Sequence, residues 1–172
     1  LIGLLSALPT LPSNSPTSDP SAAAAPPVVV TVGPSATPTA AGTPVSGGGI
    51  GRPAPFSGPD GRGTLTVVGA TWTDTGEAAP VDGERYLVVD LTIACTSGVV
   101  PVDPILLAAG TDTTTSLPGF GPALTRPLGG RLLTAGDQVD GQVGFALPPG
   151  ALTLMLLDED LHVLVSVEIP AP

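Results

Sequence analysis

The chain has 172 residues, including 23 Gly, 22 Pro, five Arg, no Lys and 15 acidic residues, and its formal net charge is −10. This length allows one domain or one domain with a tail, and five scattered arginines supply no basic patch for nucleic-acid phosphates. A single Cys excludes an internal disulfide and a multi-thiolate zinc site, and a single His excludes sites built from two or three histidines.

The chain opens with an apolar segment, residues 1–10, which starts LIGLLSAL and carries no charge. It is too short to span a bilayer, which takes about 20 residues. We interpret it as the remnant of a signal peptide or membrane anchor. The alternative is a disordered hydrophobic terminus without such a role. The segment predicts export, with an extracellular or cell-surface location, or alternatively a membrane tether for the chain.

Residues 11–60 are expected to form a disordered linker or stalk. Positions 12–60 hold 11 Pro, 7 Gly and 12 Ser or Thr against three charged residues. Few large apolar side chains are present to offset the entropy of ordering such a chain. Residues 28–32 (VVVTV) are the exception, since they could pair as an edge strand between two prolines. The glycine-rich residues 47–51 lack the lysine of a phosphate-binding loop and are assigned to the linker.

From Gly63 onward the apolar residues alternate with a period of two, which indicates half-buried strands. Residues 86–95, 138–147 and 161–169 are predicted strands, and residues 65–72, 105–108 and 152–157 are further candidates. The inward faces of the first three are predicted to carry Leu87, Val89, Leu91, Ile93 and Cys95; Val139, Gly141, Val143, Phe145 and Leu147; and Leu161, Val163, Val165, Val167 and Ile169.

Turn-forming clusters separate these runs, among them Ser97-Gly98, and no window has the spacing of an amphipathic helix. Six to eight short strands within residues 61–170 predict an all-β fold, an immunoglobulin-like antiparallel β-sandwich. We expect its core to be held by burial of aliphatic side chains alone.

The same region resembles a family of exported immunoglobulin-like domains that have no assigned activity and occur in Gram-positive and actinobacterial proteins. Its relatives include the secreted mycobacterial immunoprotective extracellular antigens. Three pieces carry the resemblance: the long strand GERYLVVDLTI at residues 83–93, the segment TAGDQVDGQVGFALP at residues 134–148, and a closing hydrophobic hairpin at residues 152–169.

The chain departs from the family pattern at two places, and the resemblance implies no catalytic or ligand-binding residues. Ala135 stands where the family usually has proline, and residues 95–98 replace an asparagine that caps a turn after the long strand. The family offers no catalytic residues to transfer. The resemblance therefore implies an exported fold without catalytic, cofactor-binding or metal-binding residues.

Three side chains are candidates for chemistry outside that resemblance. Cys95 continues an inward strand face, so it is either a small buried hydrophobe or a thiol for an intermolecular disulfide. His162 follows Asp158, Glu159 and Asp160, which gives either a solvated acidic turn or a carboxylate–His pair for acid–base or metal chemistry. Phe120 lies in a Pro/Gly loop, where it is either tucked over the sandwich end or an exposed anchor for a partner.

A calcium site is the remaining candidate. Residues 158–160 offer carboxylate oxygens but lack the spacing of a calcium loop, and calcium takes six to eight oxygen ligands. Other acidic side chains could join them only if the fold brings the loops together, namely Asp103, Asp112, Asp137 and Asp140.

These observations favour a non-enzymatic exported module that binds another envelope or extracellular protein, or serves as an accessory or structural subunit of the envelope. The alternative is a calcium- or metal-handling or hydrolytic protein that uses the acidic hairpin around Asp158 and His162. No cofactor and no nucleic-acid partner is expected.

Overall fold

Ten strands lie within the residues that the structure describes. The computed structural model describes the backbone of residues 45–46 and all atoms of residues 48–111, 113–119 and 121–172. Within these residues there is no α-helix, and one 3₁₀ turn spans Pro104–Leu106. The strands are β1 (Val45–Ser46), β2 (Ala54–Ser57), β3 (Gly61–Thr73), β4 (Arg85–Val102), β5 (Leu107–Gly110), β6 (Thr115–Ser116), β7 (Arg131–Thr134), β8 (Gln138–Leu147), β9 (Leu152–Leu157) and β10 (Val163–Ile169).

The strands form two sheets with the connectivity of an immunoglobulin-like sandwich. One sheet has the order β1-β10-β9-β5-β6, and in the other β2, β3 and β4 are neighbours while β7 and β8 both pair with β4. Pairing is antiparallel throughout the named strands except between β1 and β10. Strands β3, β4 and β8 take the places of A, B and E, and β5, β9 and β10 those of C, F and G. The predicted fold class is confirmed.

The core lies between the two sheets and is almost entirely aliphatic. The inward faces predicted for residues 86–95 and 138–147 are confirmed, because their alternate side chains are buried in one cluster with residues of β9 and β10. No polar or charged side chain is buried among the described residues. Burial of each large aliphatic side chain contributes about 1.5–3 kcal/mol, so the fold is stabilised without a disulfide.

The ordered sandwich begins before residue 61, within the predicted linker. Strand β2 pairs with the start of β3, and its Ala54 and Phe56 side chains are buried in the core. Pro55 lies between them on an edge strand, where a missing N–H removes no central ladder bond. The assignment of residues 54–57 to a disordered linker is therefore wrong, because the alternation of Ala54 and Phe56 outweighs the Pro and Gly around it.

Two other local predictions are corrected. Residues 105–108 are a 3₁₀ turn followed by β5, and Ile105 is exposed rather than part of a strand. Leu161 was predicted to face inward, but it lies in the β9–β10 turn with φ +64° and is largely exposed. In both places the chain reverses direction within a few residues, so the period of two does not extend through them.

Strand β4 does not end at Ser97-Gly98, where a turn was predicted. It continues to Val102, and its last four residues pair with β7 while its first ten pair with β8. Strands β7 and β8 thus follow one another along the same side of β4, joined by a short turn at residues 135–137. Where the partner of β4 changes from β8 to β7, Gly98 in β4 has φ +72° and Gly136 in the β7–β8 turn has φ +93°.

Gly98 allows a close approach between two strands. A Cβ on Gly98 would overlap the carbonyl oxygen of Asp60, and a Cβ on Gly61 would overlap the backbone of Val99. The backbone N–H of Val99 donates to the Asp60 carbonyl at 3.0 Å in the same place. Position 98 therefore needs glycine for two reasons, its left-handed backbone and the lack of space for a Cβ.

We expect Gly98→Ala to lower the free energy of unfolding by about 3 kcal/mol, since it combines a left-handed backbone with overlap of the Asp60 carbonyl. Chemical denaturation of the purified chain measures this. Gly83→Ala is the matched control, because Gly83 has φ +87° but no atom near its Cβ position. The control should lose about 1 kcal/mol. Equal losses for the two variants would contradict the close-approach argument.

Several predictions fall on residues outside those described. They concern the apolar segment 1–10, the linker up to residue 44, the strand at residues 28–32, and the side chains of Asp112 and Phe120. In the part of the chain that the structure describes, no helix is long and apolar enough to cross a membrane.

Candidate functional site

One end of the sandwich combines exposed apolar side chains with acidic ones. The β2–β3 turn, the β4–β5 connection and the β9–β10 turn all lie at this end, together with the start of β7. The β4–β5 and β9–β10 connections correspond to the B–C and F–G loops, which carry antigen-binding residues in immunoglobulin variable domains. We call this region the loop end.

An open groove at the loop end is lined by three exposed aliphatic side chains from three different elements. Leu132 is 70% exposed, Leu161 66% and Ile105 64%. All three line a groove of about 540 Å³ together with Asp103, Arg131 and Glu159. We call Ile105, Leu132 and Leu161 the loop-end patch. Isolated exposed aliphatic side chains are common on any surface, so the feature to note is that these three line one groove.

Two members of the patch are fixed by buried neighbours. In β7, Leu133 is buried and pairs with Val100, so Leu132 must face outward beside Pro101. In the 3₁₀ turn, the Asp103 carboxylate accepts a hydrogen bond from the Ile105 N–H at 3.0 Å, and Leu106 is buried while Ile105 is exposed. The outward orientation of each exposed side chain is thus fixed by the buried residue that follows it in the chain.

The third member is held by the Asp158 side chain. One carboxylate oxygen of Asp158 accepts hydrogen bonds from the backbone N–H of His162 at 2.8 Å and of Asp160 at 3.0 Å. These bonds close the β9–β10 turn and hold Leu161 in the left-handed conformation. Leu161 is the one non-glycine residue with positive φ among the described residues. Such a backbone costs about 1–2 kcal/mol for a residue with a Cβ.

A smaller cavity adjoins the groove. It has a volume of about 110 Å³ and lies between the β2–β3 turn, the end of β4 and the β9–β10 turn. Its apolar wall includes Leu156, Leu157 and Leu164, and its acidic side chains are Asp60, Asp158, Glu159 and Asp160. Pro101 and Glu159 line both the cavity and the groove, so the two depressions are neighbours.

The carboxylate of Asp158 is held in its charged form. Desolvation by the surrounding hairpin raises its pKa, but the N–H and imidazole of His162 and the N–H of Asp160 together outweigh this effect. The net result is a pKa below the ordinary value of 3.8. Asp158 is therefore ionised at neutral pH and serves to hold the turn.

His162 lies on the solvent face of the acidic turn, and its imidazole also lies next to the Asp158 carboxylate. The Nδ1 of His162 lies 3.3 Å from the second oxygen of Asp158, and the imidazole is 63% exposed. No Ser, Thr, Cys or Lys is among the described residues that line either depression, and His162 lines neither of them. Among the described residues, the pair therefore has no hydroxyl, thiol or amine of either depression beside it, and its imidazole is open to solvent.

The calcium candidates are dispersed. Among the described residues, no group of three His, Cys, Asp or Glu side chains is placed to hold a metal ion. Asp103 caps the 3₁₀ turn, and Asp137 accepts hydrogen bonds from the N–H and hydroxyl of Thr134 at 2.9 and 2.7 Å. These acceptors are occupied in shaping turns.

Cys95 lies in the core with 2% of its surface exposed, in agreement with the prediction of a small buried hydrophobe. Its thiol approaches the carbonyl oxygens of Ser97 and Gly98 at 3.5 and 3.6 Å. The kinked residues 95–98 of β4 thus stand where the family was expected to have a capped turn.

The loop-end patch was missed in the sequence, although a signal for it was present. Adjacent aliphatic residues on a strand face opposite ways, so Leu132-Leu133 must expose one leucine unless both faces are covered. Ile105-Leu106 carries a similar conflict, and Leu161 is an aliphatic residue inside an acidic turn. Each alone is weak evidence, and only the fold shows that they meet.

The fold and the site together define an immunoglobulin-like β-sandwich with an exposed apolar and acidic loop end. No protein-family model matches the chain, and no curated protein matches it. Three solved structures share the fold, at sequence identities that establish the fold alone.

Two of these structures are from Bacillus subtilis. A candidate lipoprotein, ycdA, has a TM-score of 0.55 and 15% identity; the match covers 67% of this chain and 38% of ycdA, so the chain spans less than half of that protein. The yjhA protein has a TM-score of 0.50 and 14% identity, with 73% of this chain and 99% of yjhA covered.

The third is MPT63, a secreted protein of Mycobacterium tuberculosis. It has a TM-score of 0.52 and 14% identity, and the match covers 74% of this chain and 98% of MPT63. The resemblance to the exported immunoglobulin-like family is therefore confirmed at the level of fold.

If Leu161 contributes nothing to folding, Leu161→Gly will leave the free energy of unfolding unchanged or raise it by up to about 1 kcal/mol, because glycine relieves the left-handed strain. Urea denaturation measures the change. Leu157→Ala in the same hairpin is the control and should lose about 2–4 kcal/mol, since Leu157 is buried. A loss above about 1 kcal/mol for Leu161→Gly would show that this leucine supports the fold.

The lowered pKa of Asp158 makes a pH prediction. Its contribution to stability is full above the unfolded-state pKa and is lost as the pH falls from about 5 through the lower folded-state pKa. Asp158→Asn keeps the hydrogen-bond acceptor but removes the charge. The stability difference between wild type and this variant should therefore shrink between about pH 5 and about pH 2 in urea titrations. A difference that does not change with pH would refute the role of the charge.

Proposed function

We propose that this chain is a non-enzymatic, exported immunoglobulin-like module that binds another envelope or extracellular protein through its loop end. The observation that carries the proposal is the convergence of Ile105, Leu132 and Leu161 in one groove, each from a different element. Burying exposed aliphatic surface against a partner is favourable at about 25 cal/mol per Å². The immunoglobulin fold commonly uses this same end for recognition.

The location outside the cell is supported by two kinds of observation. MPT63 is described as a secreted protein and ycdA as a candidate lipoprotein, and both share this fold. The apolar residues 1–10 and the Pro-, Ser- and Thr-rich stretch after them have the composition of a leader or anchor and a stalk. On this proposal the stalk holds the sandwich away from the membrane, with the loop end free to meet a partner.

A binding role accounts for the loop end better than the hydrolytic or metal-handling alternative does. The carboxylates at the loop end either hold backbone turns, as Asp103 and Asp158 do, or are exposed, as Glu159 and Asp160 are. The features that remain are aliphatic area and negative charge. These suit recognition of a complementary surface.

Substitution of the patch tests this proposal. The double variant Leu132→Ser and Leu161→Ser should reduce crosslinking of the full chain to its partner on the producing cell by about tenfold, because central apolar contacts dominate interface energies. Mild crosslinking followed by mass spectrometry measures the recovered partner.

The matched control is Val68→Ser with Val81→Ser, which removes two aliphatic side chains that are 60% and 65% exposed away from the loop end. The control should crosslink like the wild type, and both variants should keep the wild-type unfolding midpoint. Equal recovery from the patch variant and the wild type, or no recovery from either, would argue against a partner at the loop end.

A further inference from the structure

The charged side chains around the loop-end patch are predominantly acidic. Among the described residues, five carboxylates line the groove and the adjoining cavity, from Asp60, Asp103, Asp158, Glu159 and Asp160, against the single guanidinium of Arg131. From this charge distribution we infer that the segment of the partner that docks here is basic and aliphatic, with Lys or Arg interleaved with Leu, Ile or Val. The inference rests on the proposed function and adds the chemistry of the partner.

The two depressions match the two parts of such a segment. The groove presents Ile105, Leu132 and Leu161 to the partner's aliphatic side chains. The cavity has an apolar wall at Leu156 and Leu164 and carboxylates around it. A Lys or Arg side chain fits this arrangement, because its methylene stem packs on apolar surface while its charged head stays beside the carboxylates.

A second copy of this chain is a poor occupant. Its loop end would bring another set of carboxylates against this one, and the chain as a whole carries a net charge of −10. Like charges across an interface oppose association and slow encounter. Self-association through the patch is therefore disfavoured by the charges that surround it.

The chain's own leading residues are also poor occupants. Residues 1–51 contain no Lys or Arg, and Asp19 is their one charged side chain. They could supply aliphatic groups to the groove but no cation to the cavity. Charge complementarity therefore favours a separate basic partner over the chain's own N-terminal region.

Peptide binding tests the inference. A short fluorescent peptide that alternates Lys and Leu should bind the full chain at physiological salt, measured by anisotropy. Peptides of the same length that alternate Lys with Ser, or Glu with Leu, should bind at least about tenfold more weakly, because each lacks one of the two interactions. Equal binding of the Lys–Ser peptide would show charge attraction alone and would overturn the inference.

Removing charges at the loop end tests whether the peptide binds at this site. The variant Asp60→Asn, Glu159→Gln and Asp160→Gln should weaken Lys–Leu peptide binding by about tenfold, since three exposed carboxylate contacts are lost together. The control Glu77→Gln, Asp82→Asn and Glu84→Gln removes the same charge from the β3–β4 loop at the other end of β3, about 40 Å away along 13 residues. It should change binding by less than about twofold.

The outcomes separate this inference from the proposed function. Equal weakening by the two triple variants, or no measurable Lys–Leu binding, would overturn the inference. If the crosslinked partner depends on Leu132 and Leu161 but not on the three loop-end carboxylates, the proposed function stands and a basic partner segment is refuted. Self-association of the full chain that disappears in the patch variant, seen by sedimentation, would assign the groove to a second copy and also overturn it.

Discussion

The close approach of the Gly61 and Gly98 backbones is the constraint on which both the sandwich and its loop end depend. With no Cβ on either residue, β3 begins directly against the kink in β4, and the Val99 N–H can reach the Asp60 carbonyl. Strand β4 then runs on for four more residues and pairs with β7. Without that extension β7 would have no partner in the sheet, and Leu132 would not be presented in the groove.

The strands were more predictable than the connections between them. The alternation in residues 86–95 and 138–147 correctly predicted the core-facing side chains, because a period of two leaves one face for the core. It did not predict that Tyr86 and Val88, on the opposite face of β4, are buried as well. The predictions of a turn at Ser97-Gly98 and of a linker at residues 54–57 were wrong for the same reason. Local signals from Gly, Ser and Pro indicated a turn or a linker, while the long-range pairing with β7, β3 and the core decided the outcome.

The site was harder to predict than the fold because its members are far apart in sequence. Ile105, Leu132 and Leu161 share no motif and no spacing, and they meet only because the end of β4, the start of β7 and the β9–β10 turn lie at the same end of the sandwich. The acidic hairpin was visible in the sequence, but its meaning was not. The sequence left Asp158 either in a solvated acidic turn or among the ligand carboxylates, and its hydrogen bonds to His162 and Asp160 show that it shapes the turn that exposes Leu161.

The anchoring of the patch bears on how it could bind. Leu133 and Leu106 are buried beside Leu132 and Ile105, and the hydrogen bonds of Asp158 hold the turn that carries Leu161. The backbones that present these three side chains are thus fixed before any partner arrives. On the proposed function, association would order only the exposed side chains and the partner, and the entropy lost on binding would be smaller than for a flexible loop. The strained backbone at Leu161 opposes folding slightly and is offset by the core, which is consistent with a residue placed for recognition.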